Sequence, residues 1–303
     1  MKRVLSASLF FASASLALAA GPLRVVTTTE DLASIAKEIA GNRAEITSIA
    51  RGYQDPHFVE AKPSYLLKLR RADLLIAVGL ELEVGWLPAL LQQARNPKLL
   101  RAANYLDTSA SAAILEKPPG QVSRAMGDVH PFGNPHYWLD PDNGLKIAQA
   151  IAGKLASLDP AGSETYRRNL AAFSAKLAQK EKEWDALMAP YAGTEIVTYH
   201  NSWPNFARHF RLKVVGYVEP KPGVPAGPAH VAELIQMMRS QRVPLLLMEP
   251  YFDSKLPKSI ADKAGSTLLV FPPSVGGEPQ IKDYFSLFDY DLGLFVNAMQ
   301  TKK

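Results

Sequence analysis

PLRVVTTTEDLASIAKEIAGNRAEITSIA, residues 22–50, holds an apolar run from Leu23 to Thr28, an amphipathic stretch from Leu32 to Ala40 and a second apolar run from Ile46 to Ala50. Short apolar runs separated by a helix-period segment read as strand, helix, strand, and strands joined through a helix lie parallel in one sheet. The rhythm continues with a helical pattern over Tyr65 to Arg71 and an apolar run from Asp73 to Gly79. It resumes in the second half with runs Glu195 to Tyr199, Lys213 to Tyr217, Pro244 to Met248 and Thr267 to Phe271, between helical stretches His230 to Arg239 and Lys255 to Ala264 and before a last one from Asp283 to Met299. The expected fold class is α/β, with two lobes that each carry a mainly parallel sheet flanked by helices.

Between these halves, helical sequence extends from Asn143 to Ala189, interrupted at Leu158-Asp159-Pro160, where Asp159 is placed to cap and Pro160 to open the next helix. From Pro160 to about Met188, the residues Tyr166, Leu170, Phe173, Leu177, Lys180 and Trp184 recur at spacings of three or four, the signature of a single long helix. At ~1.5 Å per residue it spans about 40 Å, the width of a lobe. The expected organisation is a signal peptide over residues 1–20, an N-terminal α/β lobe over 21–156, a linking helix over 157–190 and a C-terminal α/β lobe over 191–303. Ligands of open parallel sheets sit beyond the carboxyl ends of the strands, so two facing lobes place a site in the cleft between them.

Lys2 and Arg3 precede an apolar run from Val4 to Leu18, and Ala17-Leu18-Ala19 supplies small residues for cleavage, which is the pattern of a secretory signal peptide. The run is shorter than the ~20 residues of a membrane span and is interrupted by Ser6, Ser8, Ser13 and Ser15. The chain contains no cysteine, hence no disulfide and no lipid-attachment residue, and the expected location is periplasmic, reached through a cleaved signal peptide. Net charge is +5 with no basic block, which speaks against nucleic-acid binding. At 47% hydrophobic and 21% charged residues, the composition is that of an ordinary globular chain.

Three of the six histidines stand in turn-like stretches remote from one another: Asp55-Pro56-His57, Asn134-Pro135-His136-Tyr137-Trp138-Leu139-Asp140-Pro141 and Tyr199-His200-Asn201-Ser202-Trp203. No single helix brings them together, so only a tertiary cluster unites them. Neutral imidazole is the commonest ligand of zinc-like ions, and a divalent metal held between separate parts of the fold is the chemistry this pattern points to. His200 directly follows an apolar run, at the carboxyl end of an expected strand.

His57-Phe58-Val59-Glu60-Ala61-Lys62-Pro63-Ser64, the stretch Ala72 to Glu83, Pro135 to Pro141 and Met248-Glu249-Pro250-Tyr251-Phe252 together resemble the zinc/manganese class of ABC-importer solute-binding proteins, in the expected order along the whole mature chain. The resemblance implies two α/β lobes joined by one rigid helix and a metal in the interlobe cleft. It also implies a monomer that delivers its ion to a membrane-embedded ABC permease. The family's first three ligand positions match His57, His136 and His200, and three imidazoles favour Zn2+ as the transported ion, with Mn2+ less favoured and iron or copper as further alternatives. Where relatives carry an aspartate after the strand that here reads Leu268-Leu269-Val270-Phe271, this chain has Pro272-Pro273.

Glu249 is the substitute for that fourth ligand within the same lobe, or else a partner that orients a histidine. Glu60 is a second candidate, or an acid that stabilises the first turn of a helix beginning there. Asp55 and Asp140 read as turn or cap residues. His130, near Asp128 in the loop before His136, reads as a surface histidine, and His209 and His230 lie in helical stretches that need no functional reading. Trp138 and Trp203 are placed to pack beside the site. Three histidines with an open position also describe catalytic zinc, with Glu249 as base, so a zinc hydrolase or hydratase is the alternative from another class. No H-E-x-x-H arrangement and no nucleophile elbow accompanies it, and the expectation is that the protein is not an enzyme.

Overall fold

The computed structural model describes residues 21–120, 122–123, 126–127 and 129–301; the expected signal peptide and Asp128 lie outside the described residues. Strands β1 (Leu23–Thr27), β2 (Ala44–Ser48), β3 (Leu74–Ala77) and β4 (Tyr105–Asp107) form a sheet in the order β2-β1-β3-β4. Strands β5 (Glu195–Thr198), β6 (Lys213–Tyr217), β7 (Leu245–Met248) and β8 (Thr267–Val270) form a second sheet in the matching order β6-β5-β7-β8. Every pairing in both sheets is parallel. The central strands β3, reading LLIA, and β7, reading LLLM, are buried along their whole length. Such unbroken apolar runs, without alternation, are what a strand covered by helices on both faces requires.

Helices α1 (Glu30–Ala40), α2 (Pro63–Arg71), α3 (Leu87–Ala94), α4 (Pro141–Leu158), α5 (Ser163–Met188), α6 (Pro204–His209), α7 (Pro228–Ser240), α8 (Lys255–Ala264) and α9 (Tyr284–Gln300) enclose the sheets. Tyr65 and Leu69 of α2 with Leu87 and Leu90 of α3 cover the outer face of the first sheet, and Leu234 and Met238 of α7 with Ile260 of α8 cover that of the second. The inner faces share one continuous core that runs from Val25 and Leu74 through α1, α4 and α5 to Ile196, Leu245 and α9. The short elements α3, β4 and α6 carry too little periodic sequence to be foreseen.

α5 is the long linking helix. Its 26 residues extend about 39 Å, and they bury Tyr166, Phe173, Leu177, Trp184 and Met188 along one stripe. Its start departs from expectation, because a short 3-10 turn over Pro160–Gly162 precedes it and Asp159 makes no capping bond to that turn. The Asp159 carboxylate instead accepts from Arg43 Nε and Nη2 at 2.6 and 2.8 Å and from Tyr166 Oη at 2.6 Å, tying the helix entrance to the 3-10 turn Gly41–Arg43 that follows α1. A bidentate guanidinium competes successfully for a carboxylate that could otherwise cap. Near the other end, Lys180 Nζ and Trp184 Nε1 both donate to Asp289 of α9, at 2.9 and 2.8 Å.

The segment after β8 crosses back to the first half of the chain. Asp31, fully buried in the first turn of α1, accepts from Ser274 Oγ at 2.5 Å and from Val275 N at 2.9 Å, and Tyr284 N donates to Ser34 Oγ at 2.9 Å. Burial pushes the Asp31 carboxyl up to about 7, against those two hydrogen bonds, which favour the charge. Between its ordinary range and pH 7 the folded chain therefore keeps a proton that the unfolded chain has released, and stability contributed here declines as pH rises through that window. Asp31→Asn retains an acceptor for Val275 and has no proton to lose. The melting temperature of the variant relative to wild type is expected to climb from pH 5 to pH 8; a gap independent of pH would contradict the assignment.

Candidate metal centre

All three histidines singled out in the sequence leave the carboxyl-terminal side of the sheets or the loop before α4, and they meet. The ring centroids of His57 and His136 lie 5.2 Å apart, those of His57 and His200 5.3 Å, and those of His136 and His200 5.6 Å. One ring nitrogen from each lies within 4.8 Å of the other two. Nitrogens bound to one tetrahedral zinc ion at ~2.0 Å stand roughly 3.3 Å apart, so a modest contraction lets the three share an ion. All three side chains are buried.

His57 is held by the turn after β2. Asp55 Oδ1 accepts from His57 N at 2.9 Å and lies 2.8 Å from His57 Nδ1, which must carry the proton, so Nε2 is left as a buried atom without a partner. The turn itself passes close to the segment after β8: a Cβ at Gly52 would come within 2.0 Å of the Val275 carbonyl oxygen, and only glycine permits the approach. His200 follows β5 by two residues. Its Nδ1 lies 2.7 Å from Glu219 Oε2, which also accepts from Gly223 N at 3.0 Å. A carboxylate on one ring nitrogen fixes the tautomer, aims the other nitrogen at the ion and raises its basicity.

His136 differs from both. Asn134 Oδ1 accepts from His136 N at 2.9 Å and so sets the backbone, while both ring nitrogens are buried without a hydrogen bond among the described residues. The ring rests against Trp138 at 5.2 Å between centroids, and Trp138 Nε1 donates to Pro273 O at 2.9 Å. Burial, followed by the neighbouring imidazoles of His57 and His200, holds the His136 pKa well below the ordinary histidine range. For His200, burial also opposes the charge, but the Glu219 hydrogen bond and the charges of Glu249, Glu219 and Asp55 outweigh it and its pKa is raised. Asp55 is shifted down, its burial outweighed by His57.

Glu249, completely buried just beyond β7, accepts from Trp203 Nε1 at 3.0 Å through Oε1, and among the described residues its Oε2 accepts no hydrogen bond. Burial pushes this carboxyl up to about 7, with the charge of His200 the leading opposing influence. It lies outside the close group of three histidines. Glu60 is exposed, and because α2 begins only at Pro63 it precedes that helix instead of lying in its first turn. Asp140 does cap, its side chain accepting from Asp142 N at the start of α4, and it also pairs with Arg208 and with His209 Nδ1.

Sequence reasoning missed two neighbours of the histidine cluster. Glu219 sits two residues past the edge strand β6 and carries no local signal; only the neighbouring place of β6 beside β5 brings it to His200. His130 was expected on the surface, and the structure corrects this: its ring centroid lies 5.3 Å from that of His57, its Nδ1 lies 2.9 Å from Leu80 O and its Nε2 is buried without a partner. His130 stands six residues before His136 in the sequence, and nothing local distinguishes it from a surface histidine.

Residues 25–298 match the family model described as zinc-uptake complex component A, periplasmic. The chain is 29% identical over 275 residues to the metal ABC transporter substrate-binding lipoprotein ScbA of Streptococcus cristatus, covering 89% of this chain and 86% of that protein. It is 28% identical to the manganese ABC transporter substrate-binding lipoprotein PsaA of Streptococcus pneumoniae, with the same coverage of 89% and 86%. Among solved structures, a crystal structure of ZnuA superposes with a TM-score of 0.76 at 25% identity, over 91% of this chain and 98% of the other. The names of the streptococcal relatives overturn one expectation: they are lipoproteins, so release as a free periplasmic protein through a cleaved signal peptide is withdrawn, although this sequence contains no cysteine.

Proposed function

The chain belongs to the zinc-uptake complex component A family, whose members bind metal for ABC importers and are not enzymes, and from that premise we propose that its cargo is Zn2+, held by His57, His136 and His200 and handed to a membrane-embedded ABC permease. The observation that carries this reading is the convergence of three imidazole nitrogens within 4.8 Å. Two of the rings are turned by carboxylates, Asp55 and Glu219, that themselves stay one hydrogen bond away from the ion. Nitrogen donors suit zinc better than manganese, which prefers carboxylate and water oxygens. Manganese is the second reading, favoured by the name of the pneumococcal relative and by the unpartnered Oε2 of Glu249. On this proposal the ligand-bearing bodies are a lobe over residues 21–156 and a lobe over 191–303, the helix over 157–190 joins them, and the protein acts as a monomer.

Calorimetric titration of the metal-free protein is expected to give near-1:1 zinc binding that manganese at equal concentration does not displace. Absence of zinc binding, or ready displacement by manganese, would defeat the zinc reading. Zinc affinity is also expected to fall steadily from pH 8 to pH 6. The ligands must be unprotonated, and the raised pKa of His200 makes its proton the first competitor as pH drops, whereas buried His136 stays neutral to lower pH. The sign is therefore tighter binding at higher pH.

A further inference from the structure

Three imidazoles leave one position of a tetrahedral site, and the residue expected to fill it is replaced by Pro272. We propose that His130 supplies the fourth ligand through Nε2, so that the ion sits in an all-imidazole set of His57, His130, His136 and His200. This rests on the three-histidine reading above and extends it to a residue in a different loop.

The tautomer of His130 follows from its neighbour. Leu80 O can only accept, so Nδ1 at 2.9 Å must donate, and the lone pair is left on Nε2. That carbonyl is presented by an unusual turn in which Leu80 and Glu81, neither of them glycine, both have left-handed backbone, with φ of 53° and 65°. The turn is braced from within: the buried Glu83 carboxylate accepts from Val78 N at 2.8 Å and Gly79 N at 3.1 Å, and Leu82 N donates to Gly79 O at 3.0 Å. A strained turn so braced sets the His130 ring as Asp55 sets that of His57 and Glu219 that of His200.

His130 Nε2 is then the ring nitrogen left free for an ion. The atom is buried and, among the described residues, has no hydrogen-bond partner, a state that is costly unless something else satisfies it. Its ring lies 5.3 Å from His57 between centroids, and the side chain lines one cavity of about 240 Å³ together with His136 and His200. Glu249, the rival for the fourth position, has one of its oxygens taken by Trp203. His130 also stands outside the close group of three, so it joins the ion by a side-chain adjustment rather than from a position already closed. Four neutral nitrogens, with the balancing carboxylates of Asp55 and Glu219 outside the coordination sphere, select borderline ions such as Zn2+ over hard ones such as Mn2+.

The test is X-ray absorption at the zinc edge on the full chain loaded with one equivalent of Zn2+, which counts imidazole ligands by their scattering pattern. Four imidazoles are expected in wild type, and three plus one oxygen in His130→Ala, with zinc affinity lower by about tenfold or more. Melting of the metal-free variant checks that it folds; should it not, the wild-type ligand count decides alone. Three imidazoles and an oxygen in wild type, unchanged in His130→Ala, overturns the role of His130 and leaves the three-histidine reading standing. A zinc environment unchanged in His57→Ala overturns that reading itself.

Discussion

His136→Ala is expected to lower zinc affinity by about a hundredfold or more while leaving the metal-free protein as stable as wild type. Losing one of a few nitrogen ligands removes a coordinate bond that no neighbour replaces, and even altering a residue that merely orients a ligand costs about 10–100-fold. The second half of the expectation follows from the hydrogen-bond pattern. His136 is buried with both ring nitrogens unpartnered, a state that costs about 1–3 kcal/mol for such a polar group. Truncation to alanine relieves that cost and introduces a cavity beside Trp138, a penalty of opposite sign and similar size. Melting curves with a chelator and with excess zinc separate the two halves: wild type is expected to gain stability with zinc by mass action, and the variant to gain little. A variant that melts far below wild type under chelation would mark His136 as a structural core residue; one that keeps the zinc shift would remove it from the ligand set.

Glu219→Ala is expected to weaken zinc binding by about 10–100-fold without removing any ligand. Glu219 Oε2 lies 2.7 Å from His200 Nδ1, and without it the ring loses both its orientation and the charge that enhances its basicity. The pH profile distinguishes this role from simple structural damage. Glu219 is among the groups that raise the His200 pKa, so its removal lowers that pKa and postpones proton competition to lower pH. The deficit relative to wild type should therefore be largest near pH 8 and shrink toward pH 6. A deficit constant across that range would mean that Glu219 supports the loop through Gly223 N and does not tune His200. Glu219→Gln, which can still accept a hydrogen bond but carries no charge, is expected to fall between the two.

How far the sequence reached is clearest in particular residues. The unbroken apolar runs Leu74 to Ala77 and Leu245 to Met248, set among helix-period segments, sufficed to identify parallel sheets covered on both faces, because burial on two sides leaves a compositional trace in consecutive residues. The stripe through Tyr166, Phe173, Leu177 and Trp184 marked α5 for the same reason. His57, His136 and His200 were legible because each stands in a turn with its own short signature. Asp159 shows the limit: its position before Pro160 was that of a cap, and a partner at Arg43, from a remote stretch, took its carboxylate.

By itself, then, the sequence determined what is written in neighbouring residues: the two parallel α/β halves, the long helix between them, the three candidate imidazoles and the proline at the expected fourth position. Only the tertiary structure decided which side chains serve those imidazoles. Glu219 reaches His200 because β6 pairs with β5, and Asp31 holds Ser274 and Val275 because the chain returns to α1 after β8. His130 lies beside His57 with its Nδ1 on the carbonyl of Leu80, in a left-handed turn fifty residues away. Hydrogen bonds and coordination act over about 2–3 Å regardless of separation along the chain, so partners chosen by folding leave no periodic trace in the sequence that supplies them.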